Sequence, residues 1–93
     1  VRKYEILYVL DPQDEVSKET VGWIKEQYEG IKARLLKEEG MGKRKLAFEI
    51  KNKTDGFYYL TQLEVDDPSS LQDFEHEAKL NQNILRYMKL NIG

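Results

Sequence analysis

The sequence predicts an α+β fold in which a four-stranded antiparallel sheet carries two helices on one face. The hydrophobic period is the first sign. It is two residues in four stretches and three to four residues in two others, in the order strand, helix, strand, strand, helix, strand. The second is the stretch Gly40 to Val65, which reads as a long β-hairpin. The third is the chemistry at two junctions, where Asp11-Pro12 ends a strand and Asp66-Asp67-Pro68 starts a helix.

The first strand covers Arg2 to Leu10. Tyr4, Ile6, Tyr8 and Leu10 share one parity, and Leu7 and Val9 make the other partly apolar, as in a central strand. The first helix is predicted over Asp14 to Glu29, capped by Ser17 or Asp14 and closed by Gly30, with Val21, Ile24 and Tyr28 as its apolar stripe. Gly22 inside it is expected to allow close approach to the sheet, and Trp23 to be half-exposed. The second strand is expected at Ile31 to Lys37, interrupted at Glu38 to Gly42 by a bulge or bend. In the hairpin, Leu46, Phe48 and Ile50 are spaced for one strand face, and Asn52-Lys53-Thr54-Asp55-Gly56 reads as the turn. Phe57 to Val65 forms the return strand. In the second helix, Asp67 is the expected cap, Pro68 sits in the first turn, and Leu71, Phe74 and Ala78 form the stripe. Asn81-Gln82-Asn83 closes it, and Ile84 to Leu90 forms the last strand.

Two strand-helix-strand halves in this order give the ferredoxin-like βαββαβ sandwich. Right-handed crossovers put both helices on one face, with the first and third strands in the centre. The expected core is Ile6, Tyr8, Ile24, Tyr28, Leu63, Val65, Leu71 and Phe74. Residues 1–93 are expected to form a single domain, since 93 residues suffice for one core but not two.

Composition narrows the function. There are no cysteines, so a disulfide framework and a thiolate metal site are excluded. The opening Val1-Arg2-Lys3-Tyr4 carries no apolar signal-peptide core, and no stretch is apolar enough to span a bilayer, so no membrane partner is expected. Net charge is −2, but it is unevenly spread. Asp11 to Glu29 holds six acids against Lys18 and Lys25, whereas Lys43 to Lys53 holds five cations against Glu49. A local basic edge on a mildly acidic body results.

No glycine-rich phosphate loop opens a helix, since Gly40-Met41-Gly42 leads into a strand. The lone His76 falls away from the helical stripe and has no convergent carboxylate at metal spacing. Asp66-Asp67 is better explained by capping than by metal binding. Phe57, Tyr58 and Tyr59 invite comparison with RNA-recognition domains, but that motif's consensus is not matched. Acylphosphatase-like enzymes share the topology, yet no arginine-bearing phosphate loop follows the first strand. The expectation is a protein that is not an enzyme and needs no cofactor.

Four pieces together resemble the bacterial small-subunit ribosomal protein number six family. They are Arg2-Lys3-Tyr4-Glu5 with its strand ending at Asp11-Pro12, and the run Gly42-Lys43-Arg44-Lys45-Leu46-Ala47-Phe48-Glu49-Ile50. The others are Gly56-Phe57-Tyr58 and Leu80-Asn81-Gln82-Asn83-Ile84-Leu85-Arg86-Tyr87. The chain departs from the family's pattern in its Gly22-Trp23 pair, and it lacks the charged tail that some members carry. The resemblance implies a structural role in the small subunit of the cytoplasmic ribosome. It also implies binding of 16S ribosomal RNA with ribosomal protein number eighteen as a heterodimer, from a monomer when isolated.

Arg2, Lys43, Arg44, Lys45 and Arg86 carry over from the family as RNA- or partner-binding positions, and Lys79 is added on charge and its nearness to the last strand. Arg86 and Arg2 are expected to form one basic spot, apart from the hairpin run. The alternative is a regulatory domain of the same topology that homodimerises and binds a small molecule. An independent single-strand RNA binder is a further rival.

Overall fold

The computed structural model describes residues 2–93; Val1, where the opening stretch begins, lies outside the described residues. Strand β1 spans Arg2–Leu10, helix α1 Asp14–Gly30, β2 Arg34–Ile50, β3 Lys53–Val65, α2 Pro68–Leu80 and β4 Ile84–Asn91. The strands pair antiparallel in the order β2-β3-β1-β4. This is the ferredoxin-like arrangement, with the first and third strands central as predicted.

One face of the sheet is covered. Tyr4, Ile6, Tyr8 and Leu10 of β1 and Tyr59, Leu63 and Val65 of β3 pack with Ile24 and Tyr28 of α1 and Leu71, Phe74 and Ala78 of α2. All eight expected core residues are buried. The Phe74 ring lies 5.2 Å from Tyr28 and 6.1 Å from Trp23, measured between centroids. Both separations suit tilted aromatic pairs.

A hydroxyl chain runs through this core. Thr61 donates to the Ile6 carbonyl (3.4 Å), so the Tyr28 hydroxyl donates to Thr61 (2.9 Å) and Tyr8 donates to Tyr28 (2.5 Å). Among the described residues no buried side-chain polar atom lacks a partner, which removes the cost of placing these hydroxyls inside. Burial pushes the Tyr28 hydroxyl up to about 12.

The helix ends only partly follow expectation. Asp67 caps α2 as predicted, accepting from the Ser69 backbone N–H (3.0 Å) and hydroxyl (2.7 Å). Helix α1 instead has Gln13 at its cap position with no side-chain cap. Asp14 is already helical, and Ser17 is buried with its hydroxyl donating to the Asp14 carbonyl. Gly30 is also helical. The left-handed residue is Lys32 (φ 58°), and Lys32 N–H to Glu29 O with Ala33 N–H to Tyr28 O makes a Schellman closure. Strand β2 therefore starts at Arg34 rather than Ile31. Gly22 points to open space, so it does not bring the helix to the sheet.

The bulge expected at Glu38 to Gly42 is present, as a register shift at Gly40/Gly42 with Gly42 at φ 85°, although strand β2 runs on through it and shifts register once more at Leu35/Lys37. The rest of the hairpin differs. The turn is two residues, Lys51 (φ 50°) and Asn52 (φ 64°), the positive pair of a type I′ hairpin. Asp55-Gly56, the stronger turn signal in sequence, lies inside β3. Gly56 is buried there because a Cβ would run into the Val9 side chain and stand 3.3 Å from Leu46. Between Lys45↔Asp55 and Ile50↔Lys53, Leu46 to Glu49 oppose Thr54 alone. Leu46, Phe48 and Ile50 consequently do not share a packed face: Phe48 is 84% exposed and the other two are half-buried.

Candidate nucleic-acid interface

The uncovered face of the sheet is set by strand parity. Leu7 and Val9 of β1 alternate with the core residues, and register places Tyr58 and Leu60 of β3 on one side and Arg86 and Met88 of β4 on the other. The excursion at Leu46 to Glu49 closes one end of this face. A groove of about 240 Å³ results, lined by Val9, Leu46, Phe48, Tyr58, Arg86 and Met88 among others. Its lining is largely apolar, with Arg86 at its edge.

The cations sort by strand geometry. Lys43, Arg44 and Lys45 lie opposite Phe57, Gly56 and Asp55, and all three are exposed. Consecutive strand residues point alternately, so they cannot form one row. Arg44 is the one that reaches the uncovered face, with its guanidinium carbon 5.8 Å from the Tyr58 ring centroid. Arg86 stands opposite Val9, across β1 from Tyr58. Arg44 and Arg86 thus border the same end of the face.

Arg2 does not join them. It pairs with Val65, while Arg86 pairs with Val9 seven positions further along β1, about 23 Å at strand rise. The expected Arg2–Arg86 spot is corrected to an Arg44–Arg86 pair, because antiparallel β4 begins at the end of β1 remote from Arg2. Lys79 occupies the last turn of α2, at the sheet end near the hairpin turn.

Among the described residues, ion pairs join Lys25 to Glu38, Arg34 to Glu64 and Asp66, Lys53 to Asp11, and Lys89 to Glu75. None involves Arg2, Lys43, Arg44, Lys45, Lys79 or Arg86. Elsewhere charge serves packing: the Lys25 ammonium and the Tyr59 hydroxyl hold the Glu38 carboxyl below its usual range. Strand parity in the sequence already put Tyr58 on this face with Leu7, Val9 and Leu60; it did not place Phe48 in the groove, which the excursion at Leu46 to Glu49 brings in. His76 is exposed, and no group of three or more potential metal ligands occurs among the described residues. No described helix is long and apolar enough to cross a membrane.

A family model described as Ribosomal protein S6 matches residues 3–91. In structure the chain is similar to 30S ribosomal protein S6 from Thermotoga maritima, with a TM-score of 0.88 and 29% identity over 98% of this chain and 87% of that one. It also resembles the C-terminal domain of the MgtC protein from Mycobacterium tuberculosis, with a TM-score of 0.68 and 12% identity over 99% of this chain and 88% of that one. The second likeness is one of fold alone.

Proposed function

This chain belongs to the ribosomal protein S6 family, and on that premise we propose that it binds 16S ribosomal RNA together with ribosomal protein number eighteen, as a heterodimer. The family is one of structural ribosomal proteins, and the chain's role is that of a structural constituent of the small subunit. The observation that carries the finer reading is that Arg44, over the Tyr58 ring, and Arg86, in the groove lining, reach the same end of the uncovered face, neither with a carboxylate partner among the described residues. Guanidinium groups suit phosphate, and an apolar sheet face suits a protein partner. A chain of net charge −2 gains from a basic companion when it meets a polyanion. Arg2, Lys43, Lys45 and Lys79 are further contact positions on this reading.

The test is an RNA titration with and without the partner protein. Weak binding alone and tight binding together support the reading. Nanomolar binding alone at physiological salt favours an independent RNA binder. Homodimers that take up a small molecule, with no response to RNA, favour a regulatory domain. Residues 1–93 are further proposed to unfold as one unit, so near- and far-ultraviolet dichroism should report one coincident transition.

A further inference from the structure

A second group of cations collects where β2 turns into β3. Lys51 and Lys53 flank Asn52 in the tight turn, and Lys79 comes from the last turn of α2. With the amides of Asn52, Gln82 and Asn83 they border a recess of about 590 Å³. The turn is held in place: the Lys51 ammonium donates to the Ile84 carbonyl (3.3 Å), and Lys53 pairs with Asp11 (3.4 Å). Among the described residues Asp11 is the only carboxylate lining the recess, and it is already engaged, with one oxygen accepting from the Gln13 backbone and the other facing Lys53. Three cations against one anion leave +2 here, on a chain whose total is −2.

We propose that this recess is an RNA-backbone site in which Lys51 and Lys79 each take one phosphate, separate from the Arg44–Arg86 rim. The inference rests on the ribosomal reading above. Ammonium groups are compact charges that serve phosphate oxygens, and side-chain amides add neutral N–H donors. No aromatic ring lines the recess, so it offers no stacking platform for a base. It positions the backbone and carries no sequence preference. The two sites adjoin, since Ile50 and Arg86 line the groove where Lys51 and Leu85 line the recess, so one RNA backbone could run from one to the other.

The test compares K51A/K79A with the unaltered chain in partner-dependent assembly on a 16S fragment across a salt series, and follows backbone amides by NMR as a uridine dodecamer is added. In assembly, the double variant should flatten the log-affinity against log-salt slope by about 1.4–1.8, two phosphate contacts' worth. Lys51→Arg should restore its share, and melting curves check that folding is intact. The dodecamer should shift the amides of Lys51, Asn52 and Lys79 at low salt, and not in the double variant. An unchanged slope in a folded double variant overturns the site and leaves the proposed function standing. Dodecamer shifts at the turn with no assembly by the unaltered chain overturn the proposed function and keep the site. Absence of both overturns both.

Discussion

The two faces of one sheet are built for different purposes, and β1 contributes to both. Towards the helices it sends Tyr4, Ile6, Tyr8 and Leu10, into a core where no buried side-chain polar atom among the described residues lacks a partner. On the other side it sends Leu7 and Val9, near Arg44 and Arg86, which form no ion pair among the described residues. Met88 and Leu90 on that side remain 52% and 59% exposed. One face has its contacts within the chain, and the other is left with contacts to make. Stability should therefore respond to changes on the first face and assembly to changes on the second.

The largest effect that could break this contrast is in the core. Phe74→Ala should lose about 3–5 kcal/mol in denaturant unfolding, and Met88→Ala on the open face under about 1 kcal/mol. Equal costs would mean that the two faces share the work of folding. Next in size is alkaline pH. Burial raises the Tyr28 hydroxyl from 10.0 to about 12, so the unfolded chain loses its proton first. Its contribution is intact below about pH 10 and is lost as pH rises towards 12, by about 2–3 kcal/mol in all. Denaturation midpoints at pH 9 and pH 11, with Tyr28→Phe as control, check the sign. A rise in stability over that interval would contradict it.

Two glycines sharpen the contrast further. Gly56→Ala should destabilise by about 1–3 kcal/mol, because the new methyl group meets Val9 where the hairpin crosses β1. Gly22→Ala, which faces open space on α1, should stabilise by up to about 1 kcal/mol. Thermal melts of the two proteins should move in opposite directions. The smallest stability effect belongs to Arg86→Ala, under about 0.5 kcal/mol, since it removes an exposed cation with no ion pair. The same change should weaken assembly and flatten its salt slope by roughly 0.7–0.9 if Arg86 meets a phosphate. Weaker heterodimer formation at an unchanged slope would assign Arg86 to the protein partner.

The covered face was legible in the sequence because burial imposes a period. Tyr4 to Leu10, Leu63 with Val65, and Leu71 with Phe74 could be placed by spacing, and Asp67-Pro68 by capping chemistry. The uncovered face was less legible because nothing internal constrains it. Asp55-Gly56 carries the strongest local turn signal, yet tertiary contact with Val9 claims that glycine, and the positive backbone angles fall on Lys51 and Asn52. Lys32 similarly takes the left-handed place expected of Gly30. The Arg2–Arg86 pairing failed for a different reason: adjacency of strands was used without their direction. Antiparallel β4 starting beside Leu10 already puts Arg86 at the far end from Arg2. The excursion at Leu46 to Glu49, which makes the groove, has no local signature in the sequence.

The central place of β1 also has a consequence for the timing of synthesis. Strands β2 and β3 meet across two residues, but Tyr4 waits for Leu63 on one side and for Asn91 on the other, 59 and 87 positions later. At roughly 5–20 residues per second, about 4–17 s separate the making of β1 from the making of its last neighbour. Until then Ile6, Tyr8 and Leu10 belong to a strand with an open edge, the condition in which strands pair with the wrong chain. A nascent chain arrested after α2 should accordingly be held by chaperones or aggregate, and one released after Asn91 should not.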